Sequence, residues 1–98
     1  MAEKIKSDLS RAEILAGGLV QGVGFRYFVL RTAMQLCLKG YVKNLYSGEV
    51  LAVVEGEKIK IMELFEQMKF GPSHSYVKTF SIMWTSFNAE FSTFEIRH

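Results

Sequence analysis

The chain has 98 residues, enough for one domain with one hydrophobic core and too few for a second. Its formal charge of +2 is too small to indicate a protein that binds nucleic acid or a membrane surface. A single cysteine excludes an internal disulfide, and two isolated histidines do not form a metal-binding cluster. We therefore expect a globular domain that uses no metal and no other cofactor.

We expect no secretory signal peptide at the start of the sequence. Residues 1–11 mix charged and short apolar residues and contain no continuous apolar stretch of the kind that a signal peptide requires. No segment approaches the roughly 18 apolar residues of a membrane span. We expect a cytoplasmic protein with a flexible polar tail over residues 1–10 and one domain over residues 11–98.

Hydrophobic periodicity and turn signals divide the domain into seven elements. In chain order they are a strand over 12–17, a helix over 25–36, a strand over 41–44, a strand over 49–55, a helix over 58–69, a strand over 77–85 and a short strand over 93–97. The short connection Leu45-Tyr46-Ser47-Gly48 predicts a hairpin between the second and third strands, and Gly71-Pro72 ends the second helix. This order predicts an α+β fold of the split βαβ type (βαββαβ), an antiparallel sheet with both helices on one face.

A glycine-containing loop leads into the first helix and indicates an anion site. Arg26 falls in the first turn, where the helix dipole is positive and a cation costs up to about 1 kcal/mol. Gly22 and Gly24 allow the preceding backbone to curl so that several N–H groups converge, as they do in anion-binding nests. The cost at Arg26 is explained if a negative group lies between the guanidinium and those N–H groups. Residues 21–26 therefore predict a phosphate-binding loop.

Two motifs give the chain a resemblance to the acylphosphatase family. The first is Gly18-x-Val20-Gln21-Gly22-Val23-x-Phe25-Arg26, and the second is Gly40-Tyr41-Val42-Lys43-Asn44-x3-Gly48-x-Val50-x5-Gly56. They span residues 18–56, and a weaker similarity continues to the closing Phe94-Glu95-Ile96-Arg97. The family has a ferredoxin-like split βαβ sandwich, which agrees with the fold predicted from the pattern alone.

The resemblance implies a hydrolase that cleaves the carboxyl-phosphate bond of small acyl phosphates and releases inorganic phosphate without a metal. Arg26 would be the catalytic residue that grips the phosphoryl group, and Asn44 would position the attacking water. The phosphate-binding loop would contribute the backbone N–H groups of five residues: Gln21, Gly22, Val23, Gly24 and Phe25. From its position alone, Asn44 before a hairpin would more often be a turn residue, and the family motif is what favours a role in the reaction.

The other candidate residues give weaker signals. We expect His74, in a polar loop, and His98, the final residue, to be solvated and to have no part in the reaction. Cys37 stands where the family usually has glycine, directly after the first helix, a position that often takes a left-handed conformation.

Two other functions fit parts of the sequence. The alternative is a non-catalytic module that binds phosphate or carbamoyl phosphate, like the acylphosphatase-like domain attached to carbamoyl-transferring maturation proteins. RNA-recognition domains share this order of elements, but they need exposed aromatic residues on the two central strands. Neither 12–17 nor 49–55 contains an aromatic residue, so we expect no nucleic-acid partner. We expect a monomer whose ligands are an acyl phosphate and inorganic phosphate.

Overall fold

A computed structural model describes residues 8–98 of the chain. Over this range it contains, in order, β1 (Leu9–Leu19), α1 (Phe25–Gln35), β2 (Lys39–Asn44), β3 (Val50–Glu57), α2 (Lys58–Phe70), β4 (Tyr76–Thr85) and β5 (Phe94–Arg97). Every strand and helix expected from the sequence is present, and no end moves by more than three residues. The α+β fold is confirmed, and neither described helix combines the length and apolar composition of a transmembrane segment.

The beginning of β1 shortens the expected tail. Leu9 and Ser10 pair with Glu57 and Gly56 of β3, so they belong to the sheet. Of the rest of the expected tail, residues 1–7 lie outside the described residues, and the carbonyl of Asp8 accepts a hydrogen bond from the N–H of Lys58 at 2.8 Å.

The five strands form one sheet in the order β4-β1-β3-β2-β5. Four of the strands are joined by antiparallel pairings, as expected, but β5 runs parallel to β2. The sheet is therefore mixed rather than purely antiparallel. The difference arises because β4 and β5 occupy opposite edges, and the chain between them crosses the end of the sheet where β1 and β2 begin. This crossing turns β5 in the direction of β2 and brings the ends of these two strands together.

The hydrophobic core lies between one face of the sheet and the two helices. Alternate residues of β1 and β3 point into it, as expected for strands with one buried face. The fully buried residues from these four elements are Ala12, Ile14 and Ala16 in β1, Val50, Ala52 and Val54 in β3, Val29 and Ala33 in α1, and Ile61, Leu64 and Met68 in α2. Stacked rings of Phe65 and Phe80, 4.3 Å apart, extend the core to the edge strand β4.

The segment that joins β4 to β5, residues 86–93, is held by one buried carboxylate, and we call it the strap. The Glu55 side chain is 2 % exposed and accepts hydrogen bonds from the backbone N–H groups of Asn88 (2.8 Å) and Glu90 (2.9 Å). Arg11 bridges Glu55 (3.2 Å) and the Glu90 side chain (2.7 Å). Burial by itself raises the pKa of the Glu55 carboxyl, but these N–H groups and the guanidinium outweigh it and lower that pKa below its ordinary value.

The residue after α1 has the backbone conformation that its position suggested. Leu36 caps the helix, and Cys37 follows with a φ of 60° and an exposed side chain. The left-handed conformation expected for Cys37 is therefore present, and its Cβ meets the crowding that glycine would avoid.

Candidate phosphate-binding and catalytic site

The loop between β1 and α1 is short and anchored at both ends. Val20 and Phe25 are each 1 % exposed, and Val23 packs on the core between them. Gly22 and Gly24 have φ values of 77° and 79°, which side chains rarely allow, and each faces open space. The anchors fix where the loop lies, and the two glycines give its backbone the curl that the sequence predicted.

The first turn of α1 leaves several N–H groups without a protein partner. Gly24 caps the helix through its backbone, with no side-chain cap and no acidic residue in the first turn. The first hydrogen bond of the helix runs from the N–H of Phe28 to the carbonyl of Gly24 at 3.0 Å. The N–H groups of residues 25–27 precede that bond, so they are free to bind an anion.

Arg26 lies at this positive end of the helix without a carboxylate beside it. Over the described range it takes part in no ion pair, and its closest polar side-chain contact joins Nη1 to Nδ1 of His98 at 3.5 Å. A guanidinium presents parallel donors that match two oxygens of a phosphate. The arrangement therefore offers a positive group and free N–H donors to the same ligand.

A pocket of about 400 Å³ opens between the loop and the ends of β2 and β5. It is lined by Val20, Gly22, Gly24, Phe25, Arg26, Tyr27, Asn44, Ile96 and His98. Five of the seven site residues predicted from the sequence are in this set. No aspartate, glutamate or lysine lines the pocket, and Arg26 is its one arginine.

Asn44 is the last residue of β2, and its half-buried side chain reaches this pocket from the other side. Its Oδ1 is the one buried side-chain N or O atom of residues 8–98 that has no hydrogen-bond partner. An asparagine that shapes a turn bonds to nearby backbone, which this oxygen does not do. The unpartnered amide is instead suited to orienting water, because an amide offers both donors and an acceptor.

The other two predicted residues support the site without lining this pocket. Val23 is a core anchor of the loop. Gln21 lines a neighbouring pocket of about 430 Å³, together with Lys43, Asn44, Leu45, Tyr46 and His98. Its side chain donates to the carbonyl oxygens of Leu45 and Glu49, both at 2.9 Å. The sequence had suggested only a backbone role for Gln21.

The two histidines differ in position. His74 is exposed and lines neither pocket, whereas His98 lines both and contacts Arg26. From the sequence, we set His98 aside because it is the final residue and was expected to be solvated, and it is exposed. The parallel register pairs Lys43 with Arg97, which places His98 beside Asn44. A correct pairing of β5 with β2 would have found it.

The described residues 8–98 hold no cluster of three or more His, Cys, Asp or Glu side chains arranged to bind a metal ion. The polar groups that converge on the site are a guanidinium, backbone N–H groups, an amide and an imidazole. This donor set fits an anion better than it fits a cation.

Comparison with known proteins places these residues in a wider group. The family model described as acylphosphatase matches residues 12–96. The acylphosphatase of Moorella thermoacetica is 45 % identical over 89 residues, which cover 91 % of this chain and 95 % of the relative. The acylphosphatase of Methanococcoides burtonii is 40 % identical over 90 residues, covering 92 % and 94 %.

Solved structures give the same similarity in three dimensions. The crystal structure of acylphosphatase from Bacillus subtilis is 34 % identical, with a TM-score of 0.87 over 93 % of this chain and 100 % of that one. Full-length HypF in its phosphate- and nucleotide-bound form is 32 % identical, also with a TM-score of 0.87, over 98 % of this chain but 13 % of that one. The chain is thus similar to the whole of one protein and to a small part of a much larger one.

Proposed function

Because the chain belongs to the acylphosphatase family, we propose that it hydrolyses the carboxyl-phosphate bond of acyl phosphates to a carboxylate and inorganic phosphate. The observation that best supports this is that the Arg26 guanidinium is not paired with a carboxylate among the described residues. The described part of the chain supplies it with no carboxylate, and it lies at a helix N-terminus whose own N–H groups are free. An anionic ligand would satisfy both.

Phosphoryl binding would use the guanidinium and the loop together. Arg26 would donate two parallel hydrogen bonds to phosphoryl oxygens, while the N–H groups of the loop and the first turn of α1 would bind the remaining charge. These donors are fixed before the substrate arrives, because Val20 and Phe25 anchor the loop. Such preorganised donors stabilise the charge on the equatorial oxygens during phosphoryl transfer.

Asn44 would orient the water molecule that attacks phosphorus. As the new P–O bond forms, the bond from phosphorus to the acyl oxygen breaks and the carboxylate leaves with the electron pair. The proton of the attacking water passes to a phosphoryl oxygen of the substrate. A carboxylate is a weakly basic leaving group, so no acidic side chain is needed to protonate it.

The small pocket, with its one cation, supports a small-molecule acyl phosphate as substrate. We also propose that the protein acts as a monomer in the cytoplasm, with no nucleic-acid partner. Its single cysteine, Cys37, is free, and Arg26, Asn44 and the two loop glycines line one pocket, so the proposed reaction needs no residue from a second copy of the chain.

The test is hydrolysis of an aryl acyl phosphate by the purified protein in excess chelator. We expect release of inorganic phosphate and carboxylate at a rate that increases in proportion to enzyme concentration. Binding of phosphate without turnover would contradict the proposal and would instead support a non-catalytic phosphate-binding module.

A further inference from the structure

The side chain of Gln21 connects the two halves of the site. Its Nε2 donates to the carbonyl oxygens of Leu45 and Glu49, both at 2.9 Å and both partly buried. The amide nitrogen of glutamine carries two hydrogens, so these bonds use its full donor capacity. Among the side-chain hydrogen bonds of residues 8–98, these two alone join the phosphate-binding loop to the hairpin of β2 and β3.

The two acceptors flank the turn of that hairpin, which is formed by residues 46–48. The N–H of Leu45 donates to the Glu49 carbonyl at 2.8 Å, and the N–H of Gly48 donates to the Leu45 carbonyl at 3.0 Å. Each carbonyl oxygen therefore accepts one bond from the turn and one from Gln21, which fills both of its lone pairs. Gln21 thus binds the hairpin on both sides of its turn, at the residue before the turn and at the residue after it.

We propose that Gln21 is a positioning residue for Asn44. Asn44 immediately precedes Leu45, so the carbonyl held by Gln21 belongs to the next residue in the chain. Arg26, on α1, would bind the phosphoryl group, and Asn44, on β2, would hold the attacking water. The two side chains must therefore be correctly spaced for the water to reach phosphorus. An error of about 1 Å in such spacing can cost about a hundredfold in rate.

This inference rests on the proposed function for its kinetic consequence. Phosphate binding depends on Arg26 and the loop, whereas attack also depends on the distance from the loop to Asn44. Loss of the Gln21 bonds should therefore slow turnover and leave phosphate affinity nearly unchanged. A residue needed only for folding would not separate these two quantities.

The first experiment replaces Gln21 by methionine, which keeps the length of the side chain and removes its donors. For Gln21→Met we expect kcat to fall by about tenfold and the dissociation constant for inorganic phosphate to change by less than about twofold. The matched control is Thr32→Val, which removes a 2.8 Å bond from Oγ1 to the Phe28 carbonyl within α1 and should leave kcat unchanged. An unchanged kcat in Gln21→Met, or an equal loss in the control, would overturn the proposal.

A double-mutant cycle with Asn44→Ala then tests whether the effect of Gln21 on kcat depends on the Asn44 side chain. If Gln21 acts through Asn44, Gln21→Met should cause no further fall of kcat once the asparagine side chain is gone. Losses that multiply would mean that the two residues act independently, which contradicts the proposal.

Hydrogen exchange of the hairpin amides gives a readout that needs no turnover. The N–H groups of Leu45 and Gly48 share their acceptors with Gln21, so both should exchange faster in Gln21→Met than in the wild type. Equal exchange rates would overturn the role of Gln21 even in an active enzyme. Absence of acyl phosphate hydrolysis in the wild type would contradict the proposed function separately.

Discussion

One arginine lies near each end of β1, and the two differ in whether a carboxylate is paired with the guanidinium. Arg11, near the start of β1, contacts the carboxylates of Glu55 and Glu90 and lies 5.1 Å from the centre of the Phe91 ring. Arg26, in the first turn of α1 beyond the other end of β1, has no acidic contact within residues 8–98. Arg11 precedes Leu19, the last residue of β1, by about eight positions, which is roughly 26 Å of extended strand.

The comparison shows how the same residue type serves structure in one place and ligand binding in another. At the Arg11 end, the Arg11 guanidinium is paired with the carboxylates of Glu55 and Glu90, and the result is a strap that holds β4 and β5 at opposite edges of the sheet. At the Arg26 end, the cation and the helix N-terminus are both positive and are left for a ligand. The Arg26 end therefore keeps a guanidinium, the N–H groups of the first turn of α1 and the Asn44 Oδ1 available to a ligand.

The largest effect is expected from Arg26→Gln. Loss of a transition-state donor of this kind costs about 3–4 kcal/mol, which is roughly a thousandfold in kcat/KM. The free energy of unfolding should stay the same or rise slightly, because a cation leaves the positive end of α1. Steady-state kinetics and urea unfolding measure the two quantities. More than about a tenth of the wild-type activity in this variant would be incompatible with the role of Arg26.

The next largest effect is expected from Asn44→Ala. We expect kcat to fall by about a hundredfold, while inorganic phosphate still binds nearly as tightly. The free energy of unfolding should not decrease through hydrogen bonding, because Oδ1 has no partner among the described residues. A loss of phosphate affinity in step with kcat would instead identify Asn44 as a ligand or a structural turn residue.

At the opposite end of the sheet, Glu55→Gln should affect stability and leave turnover unchanged. Replacing a charged acceptor of two N–H groups and a guanidinium should lower the free energy of unfolding at pH 7 by about 2 kcal/mol. Urea unfolding at pH 7 measures this difference, and kcat serves as the control. A loss of kcat without a loss of stability would contradict the separation of the two ends.

The lowered pKa of Glu55 fixes the sign of a pH effect. The ionised Glu55 carboxylate stabilises the folded protein fully above pH 4.5, the ordinary pKa of the group. This stabilisation is lost as the pH falls through the lower pKa that Glu55 has in the folded protein. Between pH 5 and pH 3, the urea midpoint of the wild type should therefore fall further than that of Glu55→Gln. Parallel declines would show that another group controls acid unfolding.

A smaller gain is expected at the far end of α1. Cys37 is left-handed and exposed, so its thiol fills no core space, and Cys37→Gly should raise the free energy of unfolding by about 0.5–1 kcal/mol. The urea midpoint should rise with an unchanged slope, and kcat should not change. A lower midpoint would mean that the greater entropy of glycine in the unfolded chain outweighs the strain.

The smallest effect is expected from His74→Ala, which should leave kcat and phosphate affinity unchanged because His74 lines neither pocket at the Arg26 end. The same assay in excess chelator should also show no loss. A large loss of kcat in this variant would show that His74 acts as a general base in the reaction.

The local sequence predicted the backbone of the loop and of the first turn of α1 at the Arg26 end, whereas Asn44 was singled out only by the resemblance to the family motif. Left-handed glycines, a first-turn arginine and hydrophobic periodicity are all visible within a few residues, and so was the left-handed backbone of Cys37. The Arg11 end was not predicted, because the partners of Glu55 and Arg11 are more than 30 positions away in the chain. The same long-range pairing determines that β5 is parallel to β2, and so places His98 in the site.

The most direct test of this comparison is a titration of the wild type and Arg26→Gln with inorganic phosphate, followed through backbone amide resonances. In the wild type, we expect the shifts to concentrate on residues 22–27 and to leave Arg11 and the strap unaffected. In Arg26→Gln, the affinity should fall by at least about tenfold, as expected for loss of a charged ligand to the anion. Equal affinity in the two proteins, or shifts centred on Arg11 and Glu55, would contradict the claim that the fold leaves Arg26 free for the phosphoryl group.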